Sequence, residues 1–99
     1  MELSRDAILR ALESNDRNIK KLGATGVGLF GSYARGEQRS ESDIDILVEF
    51  SSGKKSFHNY MQLKLFLERI FKRKVDLVMR DPITPELKRS ILESTILKP

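Results

Sequence analysis

The chain has no cysteine and no tryptophan, and it has a single histidine among its 99 residues. The absence of cysteine excludes disulfides, thiolate zinc sites and a cysteine nucleophile, and it is compatible with a reducing compartment. Any metal ion would therefore be expected to have oxygen ligands, which magnesium prefers.

Long apolar runs are also missing from the sequence. No stretch of about 18 apolar residues could cross a membrane, and the amino terminus mixes charged with apolar residues, unlike a signal peptide. We therefore expect a soluble, cytoplasmic protein without a membrane partner. We expect residues 1–99 to form a single domain with a thin stability margin, because a domain of this size buries only roughly 60–70% of its unfolded surface.

The formal net charge of +4 is unevenly distributed. Five carboxylates lie between Glu37 and Glu49, whereas the basic residues cluster elsewhere, at Lys20-Lys21, Lys54-Lys55, Lys72-Arg73-Lys74 and Lys88-Arg89. Such clusters at helix ends are typical of solvated caps, and the alternative is attraction of nucleotide phosphates or RNA. Nucleic-acid binding is the weaker interpretation, because the aromatic stacking platform of known RNA-binding folds is missing.

The hydrophobic periodicity predicts the order helix, two strands, helix, strand, helix. The turn and capping residues give the boundaries. The predicted elements are a helix from the Ser4 cap to Gly23, a strand over 27–30, a turn with up to one helical turn over 31–42, a strand ending at Phe50, a helix from Ser56, a strand over 74–79 and a helix starting at Thr84-Pro85-Glu86.

Two aspartates, Asp43 and Asp45, are separated by one residue in the predicted second strand. Side chains alternate along a strand, so both carboxylates are expected on one face and could share a metal cluster. The apolar residues of the other face, which we expect to be buried, are Ile44, Ile46, Val48 and Phe50.

A third carboxylate, Asp76, interrupts the apolar third strand between Val75 and Leu77. Alone it could be an exposed strand residue or the partner of Lys74 or Arg80. Beside Asp43 and Asp45 it indicates a site for paired magnesium ions, which can activate an attacking hydroxyl and neutralise a leaving phosphate.

Gly31 and Ser32 directly follow the first strand, and ten residues separate Ser32 from Asp43. Glycine allows a sharp turn and a close approach to a ligand, while the serine hydroxyl and the following amides can donate hydrogen bonds to phosphate oxygens. Each feature alone is common in ordinary turns. Their spacing from the two aspartates favours a phosphate-binding turn.

Two other motifs are rejected. The segment 26–31 formally matches a dinucleotide-binding glycine pattern, but a helix precedes it and its middle is strand-like. The lysine of a phosphate-binding P-loop is also absent after Gly31. His58 has no cysteine and no second histidine near it, and it is expected at the surface or in a cap. Neither a metal site with His58 as a ligand nor a serine–histidine–aspartate triad is therefore supported.

Three segments carry a family resemblance: Gly31-Ser32-Tyr33-Ala34-Arg35-Gly36-Glu37, Ser42-Asp43-Ile44-Asp45-Ile46-Leu47-Val48 and Lys74-Val75-Asp76-Leu77-Val78. Together they closely resemble the signature of the minimal nucleotidyltransferases of the DNA polymerase beta superfamily. The resemblance covers nearly the whole chain, and the combined motif is specific although its parts are not.

The resemblance implies an α/β (α+β) fold with a small mixed β-sheet and helices packed on one face. It implies that Asp43, Asp45 and Asp76 form the catalytic and metal-binding set, with two magnesium ions and with Asp76 helping to activate the acceptor. ATP is the implied donor. The implied nucleotide-binding residues are Gly31, Ser32 and Ser42.

Stand-alone members of this family typically accompany a helical HEPN-domain toxin and adenylylate one of its tyrosines, thereby acting as its antitoxin. We therefore expect a HEPN-domain protein as partner and acceptor, in a homo- or hetero-oligomer, with the acceptor supplied from outside this chain. The alternative from a different class is a non-catalytic antitoxin that neutralises its partner by occlusion.

Overall fold

The computed structural model describes residues 3–51, 53–54 and 56–79. The predicted helix at Thr84-Pro85-Glu86 lies outside the described residues. The elements, in chain order, are α1 (Arg5–Ser14), α2 (Asp16–Lys21), β1 (Ala24–Phe30), α3 (Gly31–Arg35), β2 (Ile44–Phe50), α4 (Phe57–Phe71) and β3 (Val75–Met79).

The three described strands form one mixed sheet in the order β1-β2-β3. The hairpin partners β1 and β2 are antiparallel, whereas β2 and β3 are parallel. Parallel neighbours need a crossover connection, and α4 supplies it. The predicted mixed sheet is confirmed.

One face of the sheet carries the hydrophobic core. Ile44, Ile46 and Val48 of β2 are fully buried, as the alternation of the sequence predicts, and Phe50 is partly buried against them. The helices pack their apolar residues into the same cluster, which confirms helices on one face; these residues are Ile8, Leu12, Ile19, Tyr33, Ala34, Leu63, Leu67 and Phe71.

The first predicted helix is two helices, α1 and α2, so the prediction of a single helix to Gly23 is wrong. The break lies at Asn15, whose side-chain amide and backbone N–H both donate to the carbonyl of Ala11. Asparagine side chains compete in this way with continued helix formation. Ile19 nevertheless reaches the core, and the Ser4 cap is confirmed, because its hydroxyl accepts from the N–H of Ala7 at 3.1 Å.

Two strand boundaries differ from the prediction. β1 begins at Ala24 rather than Val27, and its pairing with β2 is irregular between Ala24 and Gly26. The Thr25 hydroxyl donates to the carbonyl of Glu49 at 3.1 Å across this irregularity, a tertiary contact that local propensity does not contain. β2 begins one residue after Asp43.

The helix α4 begins as predicted, with the Ser56 hydroxyl accepting from the N–H of Asn59 at 3.1 Å. It ends at Phe71, and the capping residue that follows, Lys72, adopts a left-handed conformation with φ of 55°. Among the described residues, the structure contains no helix that is long and apolar enough to cross a membrane.

Candidate active site

The acidic site is built on the sheet face that lies opposite the hydrophobic core. Asp45 in the central strand is the register partner of Asp76 in β3 and of Phe30 in β1. Directly paired residues on neighbouring strands have adjacent side chains. Parallel pairing therefore brings together two carboxylates that are far apart in the sequence.

The electrostatics of Asp45 reflect this crowding. Burial raises the pKa of the Asp45 carboxyl above its ordinary value, and the charges of Asp76 and then Asp43 raise the pKa further. The charge of Arg35 acts in the opposite direction. Asp43 and Asp76 thus both lie within electrostatic reach of Asp45.

Asp43 occupies a different position from the one expected. It immediately precedes β2, its side chain is exposed, and its charge is close enough to Asp45 to raise the pKa of that carboxyl. The expectation that both aspartates lie in one strand is wrong by one residue, because regular pairing begins at Ile44. The backbone N–H of Ile44 donates to the carbonyl of Lys74 at 3.0 Å.

Asp76 is exposed, and it takes part in none of the ion pairs formed among residues 3–51, 53–54 and 56–79. A structural bridge to Lys74 is therefore not seen. The other proposed partner, Arg80, lies outside the described residues. The neighbour that the structure gives Asp76 is Asp45, a second carboxylate.

The turn at Gly31 lies directly against the Asp45 carboxylate. Gly31 has a φ of 76°, and an added Cβ would overlap with an oxygen of that carboxylate and lie 2.8 Å from its Cγ. Only glycine combines this backbone conformation with this close approach. The Gly31-Ser32 turn and the acidic pair therefore form one site, and the half-buried Ser32 lies in the first turn of α3.

Ser42 has a structural role in the loop before β2. Its hydroxyl accepts from the N–H of Arg39 at 2.8 Å, and its own N–H donates to the carbonyl of Arg39 at 3.0 Å. This turn positions the chain immediately before Asp43. Nucleotide binding by Ser42 stays a prediction.

One charged residue was missed as a site candidate. Arg35 ends α3 one helical turn after Gly31, and its guanidinium charge lowers the pKa of Asp45. It is exposed and forms an ion pair with Glu37 at 3.2 Å. The spacing of four residues from Gly31 on a short helix is the signal that could have found it. His58, as expected, is exposed on α4.

The donor set fits magnesium, which prefers carboxylate oxygens. Within the described ranges, no three acidic, histidine or cysteine side chains already converge on one cation position. The residues that could hold such an ion are the Asp45–Asp76 pair, whose mutual repulsion a divalent ion would relieve, with Asp43 next to them. Binding would require adjustment of these side chains around the ion.

The chain is similar in sequence to a family model and to curated relatives. Residues 8–98 match the family model described as a nucleotidyltransferase domain. A relative in Methanocaldococcus jannaschii, MJ1379, carries a provisional name as a protein adenylyltransferase and is 51% identical over 72 residues, which cover 71% of this chain and 72% of the relative. The protein adenylyltransferase MntA of Thermococcus cleftensis is 30% identical over 95 residues, with 95% of each chain covered.

Solved structures share the fold. A protein provisionally described as a minimal nucleotidyltransferase superposes with a TM-score of 0.78 at 33% identity, over 96% of each chain. A toxin–antitoxin structure with AMP-PNP has a TM-score of 0.62 at 25% identity, covering 96% of this chain and 72% of the other. A Shewanella oneidensis complex of tri-AMPylated HEPN toxin with MNT antitoxin has a TM-score of 0.52 at 23% identity, covering 86% and 69%.

The family match spans nearly all of α1 to β3, and it includes the turn at Gly31 and the aspartates at 43, 45 and 76. The MntA relative covers almost the same length of chain. By this match and by its fold, the chain belongs to the nucleotidyltransferase domain family.

Proposed function

We propose that this protein is a magnesium-dependent protein adenylyltransferase that transfers AMP from ATP to a tyrosine hydroxyl of a HEPN-domain toxin and so acts as its antitoxin. The observation that carries the proposal is the Asp45–Asp76 pair lying directly against the Gly31 turn. This arrangement offers oxygen ligands for cations beside amide and hydroxyl donors for phosphates.

In the proposed reaction, the acceptor hydroxyl oxygen attacks the α-phosphorus of ATP. A new O–P bond forms, the bond to the β-phosphate oxygen breaks, and pyrophosphate leaves with that electron pair. The hydroxyl proton passes to the exposed carboxylate of Asp76. Asp43, Asp45 and Asp76 would hold two magnesium ions, which supply neutralisation of the charge on the phosphates.

The triphosphate has donors on α3. Gly31 lets the phosphates approach the backbone closely, and Ser32 adds a hydroxyl in the first turn of the helix. Arg35 adds a guanidinium charge near Asp45, and guanidinium groups bind phosphate oxygens well. We assign Ser42 a supporting place in nucleotide binding, through the turn that precedes Asp43.

The relatives support the reaction class and the partner class. MntA is named as a protein adenylyltransferase, one structural relative is a toxin–antitoxin with AMP-PNP, and another pairs an MNT antitoxin with an AMPylated HEPN toxin. A hydroxyl acceptor on a separate protein agrees with these names. The HEPN-domain acceptor remains the proposal for this chain.

The direct test is transfer of label from α-phosphate-labelled ATP to a HEPN-domain protein of the same organism, with magnesium. The intact protein should label the acceptor, and Asp45→Asn should lower the rate at least about a hundredfold, since a metal ligand stabilises the transition state by several kcal/mol. Asp6→Asn, the same chemical change on exposed α1, should have no effect. Undiminished transfer by Asp45→Asn would refute the assignment.

Occlusion without chemistry is the second candidate, and exposed apolar side chains on α4 favour a protein-binding role. The two candidates differ in what Asp45→Asn does to toxin activity. If this variant neutralises the toxin as well as the unmodified protein does at the same concentration, occlusion is sufficient. If it binds the toxin without protecting, chemistry is required.

A further inference from the structure

The helix α4 carries a second apolar stripe in addition to its core face. Phe57 is 79% exposed and Leu65 is 50% exposed, and the partly exposed Met61 lies midway between them. The three residues follow one another at intervals of four, so they line one side of the helix over about 12 Å. Single exposed apolar residues are ordinary, but an aligned set indicates a contact surface.

The surroundings of this stripe are basic. All charged residues in the segment 54–74 are lysine or arginine, with the exception of Glu68. The Glu68 carboxylate is already engaged, because its Oε2 accepts from the backbone N–H of Val75 at 3.0 Å. Arg69 and Lys72 are exposed on the last turn of α4 and beyond it. The surface is therefore apolar at its centre and positive at its rim.

We infer that the Phe57–Met61–Leu65 stripe of α4 docks into an apolar groove rimmed by carboxylates on the acceptor protein. The inference rests on the proposed function for the identity of the acceptor. It rests on charge complementarity with the basic rim for the negative charge of the groove. Apolar anchors at four-residue intervals are typical of a helix that lies in a protein groove. A second copy of this chain is disfavoured at the same surface, because two basic rims would repel.

The position of α4 connects this surface to the acidic site. The helix runs from Phe57 towards Phe71, and Lys72, Arg73 and Lys74 join it to β3, where Asp76 is the second residue. Arg73 also donates to the carbonyl of Ser40, in the loop that leads to Asp43. The C-terminal end of α4 therefore leads directly to the strand that carries Asp76, while the helix itself packs on the sheet face opposite the carboxylates.

The test uses the double variant Phe57→Ser/Leu65→Ser, with Gln62→Ser as the control on the same exposed side of α4. Transfer to the HEPN-domain protein and ATP affinity are both measured. The double variant should raise the KM for the acceptor at least about tenfold, as loss of buried anchors does, with kcat and ATP affinity unchanged. The Gln62→Ser control should match the unmodified protein in both measurements. Added salt should raise the acceptor KM of the unmodified protein, because salt screens the charges of the basic rim.

Direct binding separates this inference from the proposed function. If the unmodified protein binds the HEPN-domain protein in a calorimeter and the double variant does not, the docking surface stands even if no AMP is transferred. Equal KM values, or equal binding by both proteins, would overturn it, as would no binding by the unmodified protein. The single variant Leu65→Ser repeats the comparison if the double variant unfolds or loses ATP affinity.

A membrane is the other surface that a basic and apolar helix face could bind. Sedimentation with phosphatidylserine–phosphatidylcholine vesicles tests it directly. Docking on a protein predicts that neither the unmodified protein nor the double variant sediments with the vesicles. Vesicle binding that depends on Phe57 and Leu65 would replace the protein groove with a lipid surface and overturn the inference.

Discussion

The two faces of β2 have opposite effects on the molecule. Ile44, Ile46 and Val48 on one face are fully removed from water and stabilise the fold. Asp45 on the other face has a raised pKa because it is partly buried near two other carboxylates. A single strand thus supplies the centre of the core and the centre of the candidate site. The free energy gained by burying one face offsets the repulsion between the carboxylates on the other face.

Truncation on the core face should have the largest effect on stability. Ile46→Ala should lower the free energy of unfolding by about 2–5 kcal/mol, because Ile46 is fully buried and the cavity cannot collapse freely. Urea unfolding measures the difference. Leu65→Ala, at a half-exposed site, should cost much less, and equal costs at both positions would contradict the assigned core.

On the acidic face, Gly31→Ala should lower the free energy of unfolding by about 1–3 kcal/mol, because φ is 76° and the new methyl group would displace the Asp45 carboxylate. Nucleotide affinity should fall with it. Gly36→Ala is the matched control, since φ there is 71° but no atom lies within 4 Å of an added Cβ. If the two variants bind ATP equally well, contact with Asp45 is not what Gly31 provides.

Asp45→Asn should stabilise the protein in the absence of magnesium while abolishing transfer. A raised pKa means that the folded state disfavours ionisation of Asp45. Its contribution to stability is present below the ordinary aspartate pKa and is lost as pH rises through the raised pKa. The difference in the free energy of unfolding between Asp45→Asn and the unmodified protein should therefore increase as pH rises from the ordinary aspartate pKa to the raised pKa. Above the raised pKa it should stay constant.

Thermal unfolding as a function of pH measures this gap. Magnesium should raise the melting temperature of the unmodified protein more than that of Asp45→Asn, because the ion relieves the repulsion only where the carboxylate is present. A variant that is less stable than the unmodified protein at neutral pH would show that Asp45 has a structural role.

The smallest effect on stability is expected at the end of α4. Lys72 has a φ of 55°, so Lys72→Gly should raise the free energy of unfolding by about 0.5–1 kcal/mol. Lys72→Ala keeps the strained conformation and removes the same charge, so it should give no such gain. Equal stabilisation by both variants would attribute the effect to charge.

The main features of the fold could be predicted from local patterns. The alternation of Ile44, Ile46 and Val48 predicted the core face of β2, and the Ser4 and Ser56 caps predicted two helix starts. The break at Asn15 was missed because a side chain competes for a backbone carbonyl. The early start of β1 was missed because Thr25 is held by the neighbouring strand.

The sequence by itself determined which residue types could form the site, since the glycine–serine turn and the aspartates at 43, 45 and 76 are encoded locally. Only the tertiary structure decided how they meet. Parallel pairing sets Asp76 beside Asp45, and the close turn sets Gly31 against the same carboxylate. These contacts arise from register and packing between elements distant in the chain, which local propensity and spacing do not fix.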